Sequence, residues 1–328
     1  MYLNSIAHSP ESFHPFDRRQ LVSSYGGGDG TILSGMLDYT IHARILGLNP
    51  TMPNDLIASM LFAIFFGILV GGCVYVGIDK RYRNFSVFTL FGASVFSFLG
   101  FAIRAGISNS IRPSRLSFIA ECIFFIIAQI LLLDTWVMRS RDELIDFLEY
   151  KLKIDLSGKK ARDSIAGMIF NSETRFAFFS RLVLLPICLI LYVAGYFMIP
   201  DPANGIPSDS SSRLRGVSSF LLVFLLTTMN FVMILSACVN LPPWIPQVVL
   251  FGTSAMLWIP ALYSFCLVAV VIDSSPVVRS KTFFYFGFGV GHGLAIIALL
   301  SMTRVEKIWS YRVGPEFSHE DGPPPPRS

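Results

Sequence analysis

Charge is scarce in this chain. Only 15% of its 328 residues are Asp, Glu, Lys or Arg, against about 25% in soluble domains. What is missing in chemistry is as informative. The five cysteines, Cys73, Cys122, Cys188, Cys238 and Cys266, all fall inside apolar runs and none forms a CxxC, which excludes a disulfide framework or a zinc site. They read as small packing residues. No HxxxH or HExxH spacing offers a metal site, and no GxSxG offers a nucleophile. An aspartate-rich pair of the prenyltransferase kind is also missing, so no metal or other cofactor is expected and an enzyme is disfavoured. An acid–base site at Glu121 or Asp134 is the form an enzyme would take here. No basic cluster interleaved with aromatics exists to bind nucleic acid. The last apolar run holds no lysine for a retinal Schiff base, since Lys281 precedes it. The Asp/Glu-Arg-Tyr and Asn-Pro-x-x-Tyr signatures of the common animal receptors are absent too. The start, MYLNSIAHSPESFHPFDRR, lacks the basic-then-apolar order of a cleavable signal peptide.

What fills the space is hydrophobic. The composition is 53% hydrophobic and the mean hydropathy is +0.59. Seven runs are each long enough to cross ~30 Å of hydrocarbon as a helix. They are Leu56–Ile78, Phe85–Ser108, Leu116–Met138, Phe176–Ile199, Val217–Val239, Val248–Ile272 and Phe283–Thr303. The expected fold is therefore an all-α integral membrane protein with seven transmembrane helices. A polar segment, 1–55, precedes them, with Gly26-Gly27-Gly28-Asp29-Gly30 as its flexible centre and Asn54 or Asp55 as the cap of the first span. The bundle occupies 56–303 and a proline-rich tail 304–328. Placing the N-terminus outside puts 15 lysines and arginines in inner segments and nine in outer ones, so the positive-inside rule favours N-out, C-in. The membrane is expected to be the plasma membrane or an endomembrane.

Charges inside a span are costly, and each is a candidate functional residue. Arg104 lies about eight residues before the turn at Ile111–Pro113, and Glu121 about nine after it. On antiparallel neighbours rising ~1.5 Å per residue they reach nearly equal depth. They form either an ion pair that fixes helix register or the polar part of a cavity. His292 shares that half of the membrane, as a hydrogen-bonded structural group or as a proton- or ligand-linked one. Gln129 and Asn230 are uncharged polar residues in apolar helices, suited to bonding across helices. Near the other end, Asp134, Arg139 and Arg181 fall at similar depth and suggest an ion cluster on the cytosolic side.

Small residues four apart allow close helix approach. Gly67 and Gly71 have this spacing in the first span, and Gly287/Gly291 and Gly289/Gly293 overlap in the seventh. Pro186 and Pro260 are expected to kink their helices. The long internal connection 139–175 contains DELIDFLEYKLKIDL, Asp142 to Leu156. Its leucines and Ile145 share one face, so it either continues the third span or lies at the interface. A cytosolic partner docking there is the alternative to a solvated face.

Arg81-Tyr82-Arg83 before the second span and Gly100-Phe101-x-x-Arg104 near its end carry a resemblance. Over residues 60–138 the chain resembles the fungal RTA1-like family of seven-span, lipid-translocating exporter-like proteins. Ser97 stands where that family usually has a glutamate, and only Arg104 carries over residue by residue. The resemblance implies a lipid transporter or stress-resistance protein, with membrane lipids or an amphipathic small molecule as partners. Its polar outer-half cavity would be built from Arg104, Glu121 and His292. A seven-helix receptor or sensor signalling through the 3–4 loop and tail is the alternative. A membrane-embedded enzyme of lipid or secondary metabolism is the third.

Overall fold

Seven helices cross from end to end in the computed structural model, which describes residues 46–47, 54–78, 85–110, 114–151, 175–199, 209–240, 244–269 and 281–305. They are α1 (Asn54–Ile78), α2 (Phe85–Ser108), α3 (Arg115–Lys151), α4 (Arg175–Phe197), α5 (Asp209–Asn240), α6 (Trp244–Ala269) and α7, which runs from Lys281 to Val305. All seven are long and apolar enough to span a membrane, and no strand occurs among the described residues. The chain is a multi-span membrane protein. The tail, most of the segment before α1, and Lys159–Arg162 lie outside the described residues.

The side chains are distributed for lipid rather than water. Ile57, Leu61, Ile64 and Ile68 of α1 and Phe220 and Phe224 of α5 face outward, while Ser59, Ser94, Ser97, Arg104, Glu121 and His292 are buried. Lipid is as apolar as leucine, so helix association depends on close packing and interhelical hydrogen bonds. α3 is the central helix, touching α2, α4, α5, α6 and α7, and α7 closes the bundle against α1, α2, α3 and α6.

α3 continues unbroken past Met138 to Lys151, so of the two placements open to the amphipathic stretch its start takes the first and prolongs the third span. One difference from the sequence reading matters. α5 begins at Asp209, well before Val217, because the serine-rich stretch is helical and binds its neighbour: Ser211 Oγ donates to the Gly195 carbonyl at 2.7 Å. That brings Arg215, which lies before the fifth apolar run Val217–Val239, into the bundle at 1% exposure.

The prolines are absorbed in different ways. A π-helical turn, Ser180–Leu184, precedes Pro186, and the Leu185 N–H bonds back to the Ser180 carbonyl. α6 runs on through Pro260. The Met256 carbonyl, which would accept from residue 260 in a regular helix, loses that donor because proline has no N–H. α7 packs there: a Cβ on Gly291 would lie 3.0 Å from the Met256 oxygen, and one on Gly287 3.2 Å from Pro260 Cα.

The other glycine pair of α7 faces α1. A Cβ on Gly289 would sit 2.6 Å from the Phe62 ring, and one on Gly293 2.3 Å from the Phe65 ring. The overlapping motifs thus seat one helix against two partners. Gly67 and Gly71 behave differently, contrary to the packing role their spacing suggested. Among the described residues only the Phe98 ring approaches a Cβ on Gly67, at 3.8 Å, and none lies within 4 Å of a Cβ on Gly71. Gly289→Val and Gly293→Val are expected to destabilise the detergent-solubilised protein by about 1–3 kcal/mol each, the usual cost of overpacking. Gly71→Val should leave the thermal midpoint unchanged, and a denaturation series on the three variants checks both.

Candidate functional site

At the end of the bundle where α1 begins, four buried or half-buried charges meet. Arg104, in the last turns of α2, is fully buried. Its Nη1 donates to Glu121 Oε1 of α3 at 2.6 Å, its Nη2 to the Gly47 carbonyl at 2.7 Å, and its Nε to the Tyr285 hydroxyl of α7 at 3.1 Å. Asp55 Oδ1 lies 3.6 Å from Nη2. The guanidinium stacks over the Phe284 ring, 4.3 Å from its centroid. A planar cation with fixed donors suits this mixture of carboxylate, carbonyl, hydroxyl and aromatic face.

The second pair closes the network. Lys281 of α7 bonds Asp55 Oδ2, and the Tyr285 hydroxyl donates to Asp55 Oδ1 at 2.8 Å. Ser59 Oγ lies 3.0 Å from the same hydroxyl. Among the described residues two acids face two bases, so the site is formally neutral. Gly47 belongs to the segment before α1 and sits at φ +69°, a conformation glycine adopts without cost. The Tyr263 hydroxyl of α6 accepts its N–H at 3.1 Å. A Cβ there would fall 2.8 Å from Arg104 Nη1, so only glycine lets the backbone reach the guanidinium. One atom is left over. Glu121 is fully buried, yet its Oε2 has no hydrogen-bond partner among the described residues.

Deeper in the bundle is a separate polar centre. His292 Nε2 meets Gln129 Oε1 at 2.5 Å, and Ser97 Oγ lies 3.4 Å from Nδ1. Gln129 Nε2 donates to the Leu257 carbonyl at 3.1 Å. That carbonyl can only accept, which fixes the amide so that its oxygen faces the ring. The imidazole therefore carries its proton on Nε2 and is satisfied as a neutral group. Four helices, α2, α3, α6 and α7, join here.

Arg104, Glu121 and His292 do not form one cavity. Phe101, Phe125, Phe284 and Phe288 are all fully buried and fill the space between. Phe284 and Phe288 lie 5.4 Å apart, and Phe288 meets the His292 ring edge-on at 5.2 Å. A π-helical turn, Tyr285–Gly291, sets this register. Such turns inside α-helices are frequent at functional sites.

The remaining candidates lie elsewhere. Asn230 donates to Ser254 Oγ at 2.5 Å and joins α5 to α6, away from Arg104. Asp134 and Arg181 pair at 3.3 Å, with Arg181 also over the Phe85 ring at 4.3 Å. Arg139 is buried further along α3. No cluster of metal-binding side chains occurs among the described residues. Sequence reasoning missed Asp55, Tyr285, Lys281, Tyr263 and Gly47, and also Arg215. The last stacks on Tyr196 at 4.8 Å, where Gly195 leaves room for it: a Cβ would come within 2.6 Å of Arg215 Cγ.

Removing one partner of a buried pair strands a charge. Arg104→Met alone is expected to cost about 3–5 kcal/mol, whereas Arg104→Met with Glu121→Met should be near neutral. A double-mutant cycle on thermal unfolding measures the difference, and independent costs that simply add would contradict it. The chain matches no protein-family model, no curated protein and no solved structure.

Proposed function

We propose that the protein is a transporter for amphipathic lipids with a negatively charged head group, received where α1, α2, α3 and α7 converge. The observation that carries this reading is the Gly47 carbonyl on Arg104. Two of the guanidinium's hydrogen-bonded acceptors come from helices of the bundle. The third comes from the chain before the first span, and an incoming phosphate oxygen can replace it at little structural cost. Arginine is a preferred partner of phosphate, because its fork of N–H donors matches the phosphate oxygens. The resemblance of Gly100-Phe101-x-x-Arg104 to the RTA1-like pattern points the same way. With the N-terminus outside, as the distribution of lysine and arginine favours, this mouth opens to the extracytosolic side.

A second reading, a receptor or sensor, draws on a different observation. α3 carries Glu121 at one end and runs as a single helix to Lys151 at the other. A displacement of its Glu121 end would be carried to the 3–4 connection. Deleting Lys159–Arg162 should abolish a signal in that case and spare transport.

The deciding experiment uses purified protein in vesicles containing fluorescent phosphatidylglycerol or fluorescent phosphatidylcholine. The wild type is expected to move the anionic lipid across the bilayer faster than the zwitterionic one. The folded Arg104→Met/Glu121→Met double variant should lose that preference, with transfer of phosphatidylglycerol falling at least tenfold. Unchanged transfer by the double variant would remove Arg104 from the mechanism.

A further inference from the structure

The charge count at Arg104 has a thermodynamic consequence. Among the described residues Asp55 and Glu121 balance Arg104 and Lys281. An anion that displaces the Gly47 carbonyl from Nη2 brings a fifth charge into the site, and Glu121 must then share its cation with that anion. A fully buried carboxylate beside a second anion is among the most costly groups a protein can hold, and it resolves that cost by taking a proton.

Glu121 is built for this. Only Oε1 is engaged, by Arg104 at 2.6 Å. Oε2 has no hydrogen-bond partner among the described residues, so a proton added there breaks no existing bond. Among the described residues no other cation pairs with it. Asp55 of α1 is acidic and already held by Lys281 and Tyr285. Tyr263 of α6 is committed to the Gly47 N–H and Tyr285 of α7 to Asp55. On α3 itself the neighbour is Cys122, and the Arg215 guanidinium of α5 is stacked on Tyr196 of α4.

We propose that Glu121 is a proton-coupling carboxylate: when a negatively charged phosphodiester joins it on Arg104 in place of the Gly47 carbonyl, Glu121 takes up one proton from water at Oε2. The site stays neutral, and each anionic lipid bound carries one proton with it. The inference rests on the lipid-binding reading above, but its signature is separate. Where the medium is alkaline enough to ionise Glu121 in the empty site, filling the site adds one proton to it. Binding is therefore strongest at low pH. It weakens as pH rises, toward tenfold per pH unit once the filled-site carboxyl must be protonated against the medium.

Phosphatidylglycerol is the suitable probe, because its phosphodiester keeps one negative charge across the neutral range. Calorimetric titration of the maltoside-solubilised protein in two buffers of different ionisation enthalpy counts protons directly and needs no variant. Uptake approaching one proton per bound lipid at the alkaline end is expected. Glu121→Gln should bind phosphatidylglycerol at pH 8 as tightly as the wild type does at low pH, with no pH dependence and no proton uptake. Glycerophosphoglycerol, the same head group without acyl chains, separates the sources of the anion: proton-linked binding of it equal to that of the lipid would make a soluble phosphodiester the ligand. Binding of phosphatidylglycerol by the wild type with no proton uptake overturns the coupling and leaves the lipid reading intact. Failure of the folded wild type to bind either probe at any pH overturns both.

Discussion

A guanidinium in a medium without water must find every partner inside the protein, and this requirement shapes one whole end of the bundle. Arg104 draws Glu121 from α3, Tyr285 from α7 and a backbone carbonyl from the segment before α1. Each recruit has further obligations. Tyr285 must serve Asp55 as well, and Asp55 fixes the start of α1 to Lys281 at the start of α7. Gly47 reaches Arg104 only because its N–H is accepted by Tyr263 of α6. One buried cation thus sets the relative depth of α1, α2, α3 and α7, and the hydroxyl of Tyr263 adds α6. In hydrocarbon, where apolar contact does not distinguish a neighbour from lipid, such pairing is a principal source of register.

Close packing supplies the rest. α7 is glycine-rich on two faces because it must approach two helices at once, Pro260 of α6 and the phenylalanines of α1. The π-turn Tyr285–Gly291 is the consequence that matters for chemistry. It widens the helix where the glycines leave little side-chain bulk. It also lets Tyr285 reach Arg104 above while His292 reaches Gln129 below. The aromatic layer between them keeps the two polar centres distinct, so a change of charge at Arg104 is insulated from the neutral His292 network.

The sequence made the helices and the Arg104–Glu121 juxtaposition legible, because a short turn between antiparallel spans converts residue counts into depth. The same arithmetic grouped His292 with them but could not see Phe101, Phe125, Phe284 and Phe288 filling the gap. Thirty phenylalanines offer no local sign of which ones stack together. Asp55 looked like an ordinary helix cap and lies in the first turn of α1, and Lys281 looked like a residue at a span's edge, which it is. Their pairing joins positions 226 apart, and nothing in either neighbourhood encodes it. Arg215 was hidden for another reason: a serine-rich stretch reads as a turn unless its hydroxyls find carbonyls, as Ser211 does at Gly195. The spacing of Gly67 and Gly71 misled because a small-residue pair needs a partner helix on that face, and Gly71 has open space there.

The distribution of charge along α3 joins these points. It carries Glu121 near one end, Gln129 in the middle and Asp134 toward the other, and it touches five of the other six helices. Glu121 is held from α2, Gln129 from α6 and α7, and Asp134 from α4. Each tie is polar and directional, so α3 has defined resting contacts along its length rather than a smooth apolar interface. The ties at Gln129 and Asp134 do not depend on the one at Glu121. In the transport reading proposed above, the Glu121 end is therefore the part of α3 that yields to an occupant, while its middle and far end keep their partners.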